Sequence, residues 1–417
     1  MSSQPNQLAE QLQWTSKRVA QLQESQTLAM AARSRALTEQ GFEIINLSLG
    51  EPDFDTPAHI QEAACQAIHD NFSRYTPVAG YPDLRQAVVR KMDQDLQWQV
   101  RPEQVIFSTG AKQSLINVLM AVLNPGDEVL LPAPYWVSYT GMIQMAEAQA
   151  VVLPSTAESG YKVTAETLEA AITPRTRMLL YSSPCNPSGA VLQKTELEAW
   201  AVMLRKYPNI LVVSDEIYEH IRFQGQHCSM AQCEGMAART VIVNGMSKGF
   251  AMTGWRLGYA VAPLEVANAC VKLQGQFTSA TCSIAQRAAL AALSGPMDDT
   301  HRMCDAFRQR RDLAIAETAN LPGWDCPVPD GAFYLFPNIS YWFGAIWQGE
   351  PIGNAERMTE FLLEEARVAT VSGEAFGSPD CIRLSIACSE DNIKNAIARI
   401  RLAFQNSLSQ NPLDSRP

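Results

Sequence analysis

From Gln104 to Pro263 the chain repeats one alternation, a short unbroken apolar run followed by a stretch with helical spacing. The apolar runs are QVIFSTG, DEVLLPAP, AVVLPS, RMLLYSSP, NILVVSDE, TVIVNGMS and WRLGYAVAP. They lack the polar alternation of a half-solvated strand, so they suit a sheet covered on both faces. KQSLINVLMAVL, YWVSYTGMIQMAEA, TAETLEAAI, TELEAWAVMLRKY and LEVANACVKLQGQ carry the helical pattern between them. Strands alternating with helices predict βαβ units, hence an α/β fold with a mostly parallel sheet.

The flanks differ. Residues 1–24 place Leu8, Leu12, Val19 and Leu22 among polar positions, which predicts a weakly amphipathic helix packed on the body or on a partner subunit. EIINLSLG reads as a strand, EPDFDTP as a loop, and Thr56-Pro57 as the opening of a helix. Beyond about residue 300 come a charged helix (MCDAFRQRRDLAIAETAN) and a turn (PGWDCPVPDG). The strand AFYLFPNI, the helix NAERMTEFLLEEA, the strands VATVSG and CIRLSIA, and a helix from Glu390 complete the chain. That is an α+β pattern. A chain of 417 residues exceeds what one core usually supports. The expected division is a segment 1–55 joining the small domain, a large domain 56–299, and a small α+β domain 300–417.

Charge narrows the partners. The formal net charge is −10, a poor basis for sequence-independent nucleic-acid binding. An anionic ligand must therefore be held by local Arg and Lys. No apolar run is long enough to span a bilayer, since Ile116 to Leu123 is already interrupted by Asn117. The start of the chain lacks a signal-peptide pattern, and the 10 cysteines are scattered without CxxC pairs. These features suggest a cytoplasmic protein with reduced thiols. Cys228, Cys233, His220 and His227 lie near one another in sequence but match no zinc spacing, so no metal is expected.

Five segments carry candidate chemistry. In SKGFAMTGWRLGY, Lys248 follows an apolar strand and Arg256 lies eight residues on among glycines. A lysine at a strand end beside a cation is biased toward the neutral amine that attacks an aldehyde. An exposed lysine in a glycine-bearing turn is the plain alternative. In NILVVSDEIYEH, Asp215 ends a strand, where open α/β sheets bind ligands, and Tyr218 follows. Such a carboxylate can hold the ring N–H of a pyridinium, or simply serve a helix start. STGAKQ joins a strand to a helix at Gly110, whose following N–H groups suit a phosphate, although it is not a Walker A motif. SSPCNPSG is a double X-Pro loop that can present Asn186 inward. CIRLS puts Arg383 in an apolar strand, where it needs either an internal acid or a substrate carboxylate.

These segments, in this order, resemble the fold-type I pyridoxal-phosphate enzymes, specifically class I aminotransferases, from about Ser25 to the last helix. AGYPDLR, GAKQSL, PAPYWVSY, SDEIYEH and FAMTGWRLGY are similar to aspartate aminotransferases of the I-gamma subgroup, some members of which also aminate prephenate. The resemblance implies a seven-stranded, mostly parallel sheet in the large domain, pyridoxal 5′-phosphate as cofactor, and a homodimer with shared active sites. It implies that Lys248 bonds the cofactor covalently and moves the substrate proton. Asp215 would pair with the pyridine nitrogen, Tyr218 and Asn186 with the phenolic oxygen, and Trp136 would stack on the ring. Phosphate would be held by the backbone at Gly110, Ala111 and Lys112, by Ser247 and Arg256, and by Tyr75 of the other subunit. Arg383 would bind the substrate α-carboxylate with help from Gly50 and Asn186, and Lys112 and Thr27 would meet a distal carboxylate. Two positions depart from the family pattern, Cys185 where Asn is usual and Ser188 where Thr is usual.

The implied activity is amino-group exchange between L-aspartate and 2-oxoglutarate. A prephenate or broad aromatic aminotransferase is the nearest alternative. A C–S lyase of the same fold and a non-catalytic regulator are further ones, though no basic helix-turn-helix segment accompanies the chain.

Overall fold

The computed structural model describes residues 14–22 and 26–408. Its centre is a seven-stranded sheet made from the seven apolar runs. The strands are β1 (Val105–Ser108), β2 (Glu128–Pro132), β3 (Gln149–Leu153), β4 (Thr176–Ser182), β5 (Leu211–Asp215), β6 (Thr240–Gly245) and β7 (Gly258–Val261). Their spatial order is β1-β7-β6-β5-β4-β2-β3. Every neighbouring pair is parallel except those made by β7, which runs against both β6 and β1. The carboxyl ends of β1, β2, β4, β5 and β6 therefore open on the same edge, together with the start of β7. Strands β1, β6 and β7 are buried throughout, as unbroken apolar runs require.

The expected helices between the strands form at Ala111–Val122, Ser138–Met145, Ala165–Ala170, Lys194–Leu204 and Leu264–Phe277. Two more, Pro82–Leu96 and Ser283–Ser294, were not anticipated; Ser283–Ser294 packs against both Ala58–His69 and Pro82–Leu96. The first opens with Pro82 in its first turn, a start signal inside AGYPDLR that motif reading absorbed. Pro57 caps the Ala58–His69 helix instead of occupying its first position.

The C-terminal part builds a small antiparallel sheet in the order Val371–Ser372, Ile382–Ser385, Tyr334–Leu335. Around it lie the helices Asp298–Thr318, Ala355–Glu365 and Glu390–Ser407, on a core that includes Phe307, Phe333, Phe361, Ile400 and Phe404. The N-terminal strand is only Ile45–Asn46, and it pairs in parallel with Val368–Ala369. VATVSG is thus two strands that serve different partners on either side of the buried Thr370. AFYLFPNI forms ladder pairs only at Tyr334–Leu335. Ala332 has φ 55°, outside the extended region, and Pro337 has no N–H to donate. Of the helix expected over residues 1–24, positions 1–13, 23 and 24 lie outside the described residues. The described part holds a single turn, Lys17–Ala20, whose cap Ser16 accepts from the Val19 N–H. No described helix is long and apolar enough to cross a membrane.

Candidate active site

At the shared strand edge lies a cavity of about 280 Å³. Its described lining carries four cationic side chains, Lys112, Lys248, Arg256 and Arg383, against one carboxylate, Asp215. Among the described residues, no acid lies within ion-pair distance of Lys112, Arg256 or Arg383. On a chain of net charge −10, this is a local pocket built for anions.

Asp215 is the last residue of β5. Tyr139 donates to its Oδ2 at 2.7 Å, and the Ile217 N–H donates to Oδ1 at 3.2 Å. Burial pushes its carboxyl up to about 6 despite these donors. Lys248 stands just past β6, where its Nζ donates to the Gly50 carbonyl at 2.5 Å. Burial, then Arg383 and Arg256, pull the Lys248 amine down to about 8, against the opposing pull of Glu51 and Asp215. A lysine poised this way carries a reactive fraction of free amine at neutral pH.

Arg383 is buried in Ile382–Ser385 and stacks over the Tyr334 ring at 4.6 Å. Its Nη1 donates to Asn186 Oδ1 at 3.0 Å and its Nη2 to the Ser48 carbonyl at 2.6 Å. Its Nε has no protein partner, although it is buried. A guanidinium held from one side with a donor left over is pre-organised for a carboxylate. Tyr218 and Tyr334 share a hydrogen bond of 2.7 Å, and the Asn186 amide donates to Tyr334 at 3.5 Å.

The phosphate-type corner is formed by β1, the helix Ala111–Val122 and Arg256. Gly110 has φ 84°, a conformation that favours glycine, and a Cβ there would meet Arg256 Nη2 at 2.6 Å. That bare α-carbon lets the guanidinium lie against the helix start, while Arg256 Nη1 is fixed on the Thr253 carbonyl at 2.8 Å. A Cβ on Gly258 would collide with the backbone of Gly110 and Ala111, so the helix sits on the sheet only because this residue is glycine. Free N–H groups, the helix dipole and an unpaired guanidinium together suit a phosphate. Lys112 lies 4.9 Å over the Trp136 ring, and burial followed by Arg256 lowers its affinity for a proton.

The expected site residues Lys248, Asp215, Tyr218, Ala111, Lys112, Trp136, Asn186, Ser247, Arg256, Gly50, Arg383 and Thr27 all line this one cavity, and Gly110 adjoins it. The Thr27 hydroxyl is buried there without a partner. Tyr75 is not brought in; it is 99% exposed in the isolated chain. Sequence reading missed Tyr139, Tyr334, Ser182 and Thr253, which also line the cavity. Tyr139 had a usable signal, since it lies one helical turn beyond Trp136 in PYWVSY. Tyr334 had none beyond its place in an aromatic strand.

A larger polar cleft of about 1270 Å³ lies behind the Lys248 loop. Lys91 Nζ sits 2.9 Å from Glu219, and His227 pairs with Glu216 at 2.8 Å, so the acids there already have partners. The sequence neighbours Cys228 and Cys233 do not join this group of possible metal ligands.

The cavity brings together an activated lysine, a buried carboxylate and two binding places for anions. Known proteins share this arrangement of chain. The family described as aminotransferase class I and II matches residues 43–400. A bifunctional aspartate aminotransferase and glutamate/aspartate-prephenate aminotransferase of Petunia hybrida is 44% identical, over 93% of this chain and 82% of its own. An aspartate/prephenate aminotransferase of Cereibacter sphaeroides is 44% identical over 94% of this chain and 98% of its own. Among solved structures, the aspartate aminotransferase of Rhizobium meliloti superposes with a TM-score of 0.92 at 40% identity, covering 95% of this chain and 100% of that one. The Thermus thermophilus aspartate aminotransferase with maleate gives 0.87 at 39% identity, covering 94% and 100%. The fold is that of the fold-type I enzymes, and the chain belongs to the class I and II aminotransferases.

Proposed function

We propose that this protein is a pyridoxal 5′-phosphate-dependent aminotransferase of the aspartate type, moving the amino group from L-aspartate to 2-oxoglutarate to give oxaloacetate and L-glutamate. The observation that carries it is one cavity that holds Lys248 together with two further cations without an acid partner among the described residues, Arg383 with its spare Nε and Lys112. A dicarboxylic amino acid needs one cation for each carboxylate, and the relative solved with maleate holds a dicarboxylate. Prephenate, also a dicarboxylate, is the favoured second acceptor, in keeping with the names of the petunia and Cereibacter relatives.

Bound pyridoxal 5′-phosphate supplies the electron sink for the substrate Cα. The residues present fit it: unpaired Arg256 over the glycine-opened helix start for the phosphate, and a single carboxylate for the ring nitrogen. Ala111 and Lys112 would offer backbone N–H groups, with Ser247 and Arg256 completing the cradle; the Gly110 N–H, expected to join them, is instead donated to the Ser108 carbonyl at 2.8 Å. Asp215 would accept the ring N–H, Tyr218 and Asn186 would face the phenolic oxygen, and Trp136 would cover the ring. Lys248, with its lowered proton affinity, would hold the group covalently and would carry the substrate proton at neutral pH. Arg383 orients the α-carboxylate, and Lys112 with Thr27 receives the distal one.

We further propose a division into residues 1–55 with the small domain, a large domain 56–299 and a small domain 300–417. The protein would be a cytoplasmic homodimer in which Tyr75 reaches the partner's phosphate. The test is an activity matrix of amino donors against 2-oxo acids, with prephenate included. Transfer from aspartate or glutamate to 2-oxo acids is expected. Release of pyruvate from cysteine without amino transfer would favour a C–S lyase instead.

A further inference from the structure

Asp215 is the only described carboxylate in the cavity, and a tyrosine of the same lining holds it. Tyr139, fully buried in the helix Ser138–Met145, donates to Asp215 Oδ2 at 2.7 Å. Its ring meets Trp136 edge-on, with centroids 5.6 Å apart at 86°. One side chain thus touches both the proposed ring-covering residue and the proposed ring-nitrogen partner. We infer that Tyr139 is a positioning residue, whose hydroxyl keeps Asp215 ionised and aimed at the cofactor's ring nitrogen and so sets how tightly the site holds that cofactor. This role rests on the cofactor reading above.

The Tyr139 hydroxyl proton is directed at Asp215. Burial and the neighbouring Asp215 push its own hydroxyl far above neutrality, so it stays a donor. The Ser182 hydroxyl and the Cys185 thiol are also close enough to influence it. Burial pushes the Cys185 thiol up, so it offers no anion to compete for that proton. Its Sγ instead faces the Pro134 carbonyl at 3.3 Å. Ser182 sits in register with Asp215 across β4 and β5, and its buried oxygen has no aligned hydrogen-bond partner. Among the influences on Asp215 that favour its charge, the Tyr139 hydroxyl is the largest, ahead of the Ile217 N–H. Without it, burial is opposed only by the Ile217 N–H and the Lys248 charge, and the carboxyl moves further toward the neutral acid. A neutral acid cannot stabilise a protonated ring nitrogen.

The experiment compares wild-type holoenzyme with Tyr139→Phe, which keeps the ring and removes the oxygen. Equilibrium dialysis against free pyridoxal 5′-phosphate reads affinity, and the visible absorbance of the bound cofactor is followed from pH 5 to 9. The expected result is about ten- to a hundredfold weaker retention, the usual worth of a hydrogen bond to a charged group. The absorbance profile should also change with pH, and kcat should fall more than KM for aspartate rises. Tyr139→His, which restores a donor, should recover part of the retention, whereas Tyr139→Leu should not; this pair carries the contrast if the Phe variant fails to fold. Equal retention and an unchanged pH profile in a folded Tyr139→Phe overturn the inference alone. A wild-type chain that takes up no cofactor overturns the cofactor reading, and this role with it.

Discussion

The Lys248 ammonium donates to the carbonyl of Gly50, 198 positions earlier in the chain, at 2.5 Å. The N-terminal segment thereby closes over a lysine that the sheet presents at its carboxyl edge. The contact satisfies the amine while burial works against its charge.

That opposition has a consequence for stability. The folded-state affinity of Lys248 for a proton is depressed from 10.5 to about 8, so the unfolded chain binds more protons between those values and stability should rise with pH across that window. Cofactor-free Lys248→Met should therefore be more stable than cofactor-free wild type at pH 7, by up to about 3 kcal/mol. The gain should vanish above about pH 10.5. Denaturant titrations at several pH values read this directly; a variant less stable at pH 7 would show that the Gly50 contact outweighs the burial cost. In the loaded wild type, borohydride reduction and peptide mapping should label Lys248, and a label elsewhere would displace the site assignment.

Lys112 should discriminate substrates by their second carboxylate. A charge-assisted hydrogen bond contributes roughly 1.5–3 kcal/mol, so Lys112→Met should cost on the order of ten- to a hundredfold in kcat/KM for aspartate. Prephenate should lose about as much and phenylalanine much less, since phenylalanine has no second charge. Equal losses for all three would assign Lys112 to phosphate binding or folding, and leave Thr27 to carry the distal contact.

Tyr75 is exposed and outside the cavity of its own chain, which suits a residue that serves a neighbouring copy. Mixing Tyr75→Phe with Lys248→Ala should then produce hybrid dimers with one site free of both changes. Activity above that of either parent is the expected outcome. Verified subunit exchange without recovery would separate Tyr75 from the site.

Gly258→Ala tests the floor of the phosphate corner. The added methyl would run into the Gly110 and Ala111 backbone, where β7 pairs with both Ser108 and Gly245. The expected loss is about 1–3 kcal/mol of stability, with weaker cofactor retention because the helix start moves. Unfolding midpoints and dialysis measure the two effects; unchanged values in both would mean the corner relaxes freely.

Local pattern determined much of this protein. Seven apolar runs became the seven strands, because a strand buried on both faces needs an unbroken apolar run and little else. Lys248, Asp215, Gly110 and Asn186 were legible because each ends or follows such a run, and in a parallel sheet those ends share one edge. Pairing and approach across the chain were decided only in three dimensions. VATVSG divides between two partners, a choice made by which strands arrive beside it. Tyr334 enters the site from the small sheet, where it meets Tyr218 at 2.7 Å across 116 positions. Tyr139 becomes a partner of Asp215 only once β2 and β5 have brought their ends together. The spare donor of Arg383 also emerges only there, because an arginine in an apolar strand reads the same whether its partner is an internal acid or a ligand still to bind.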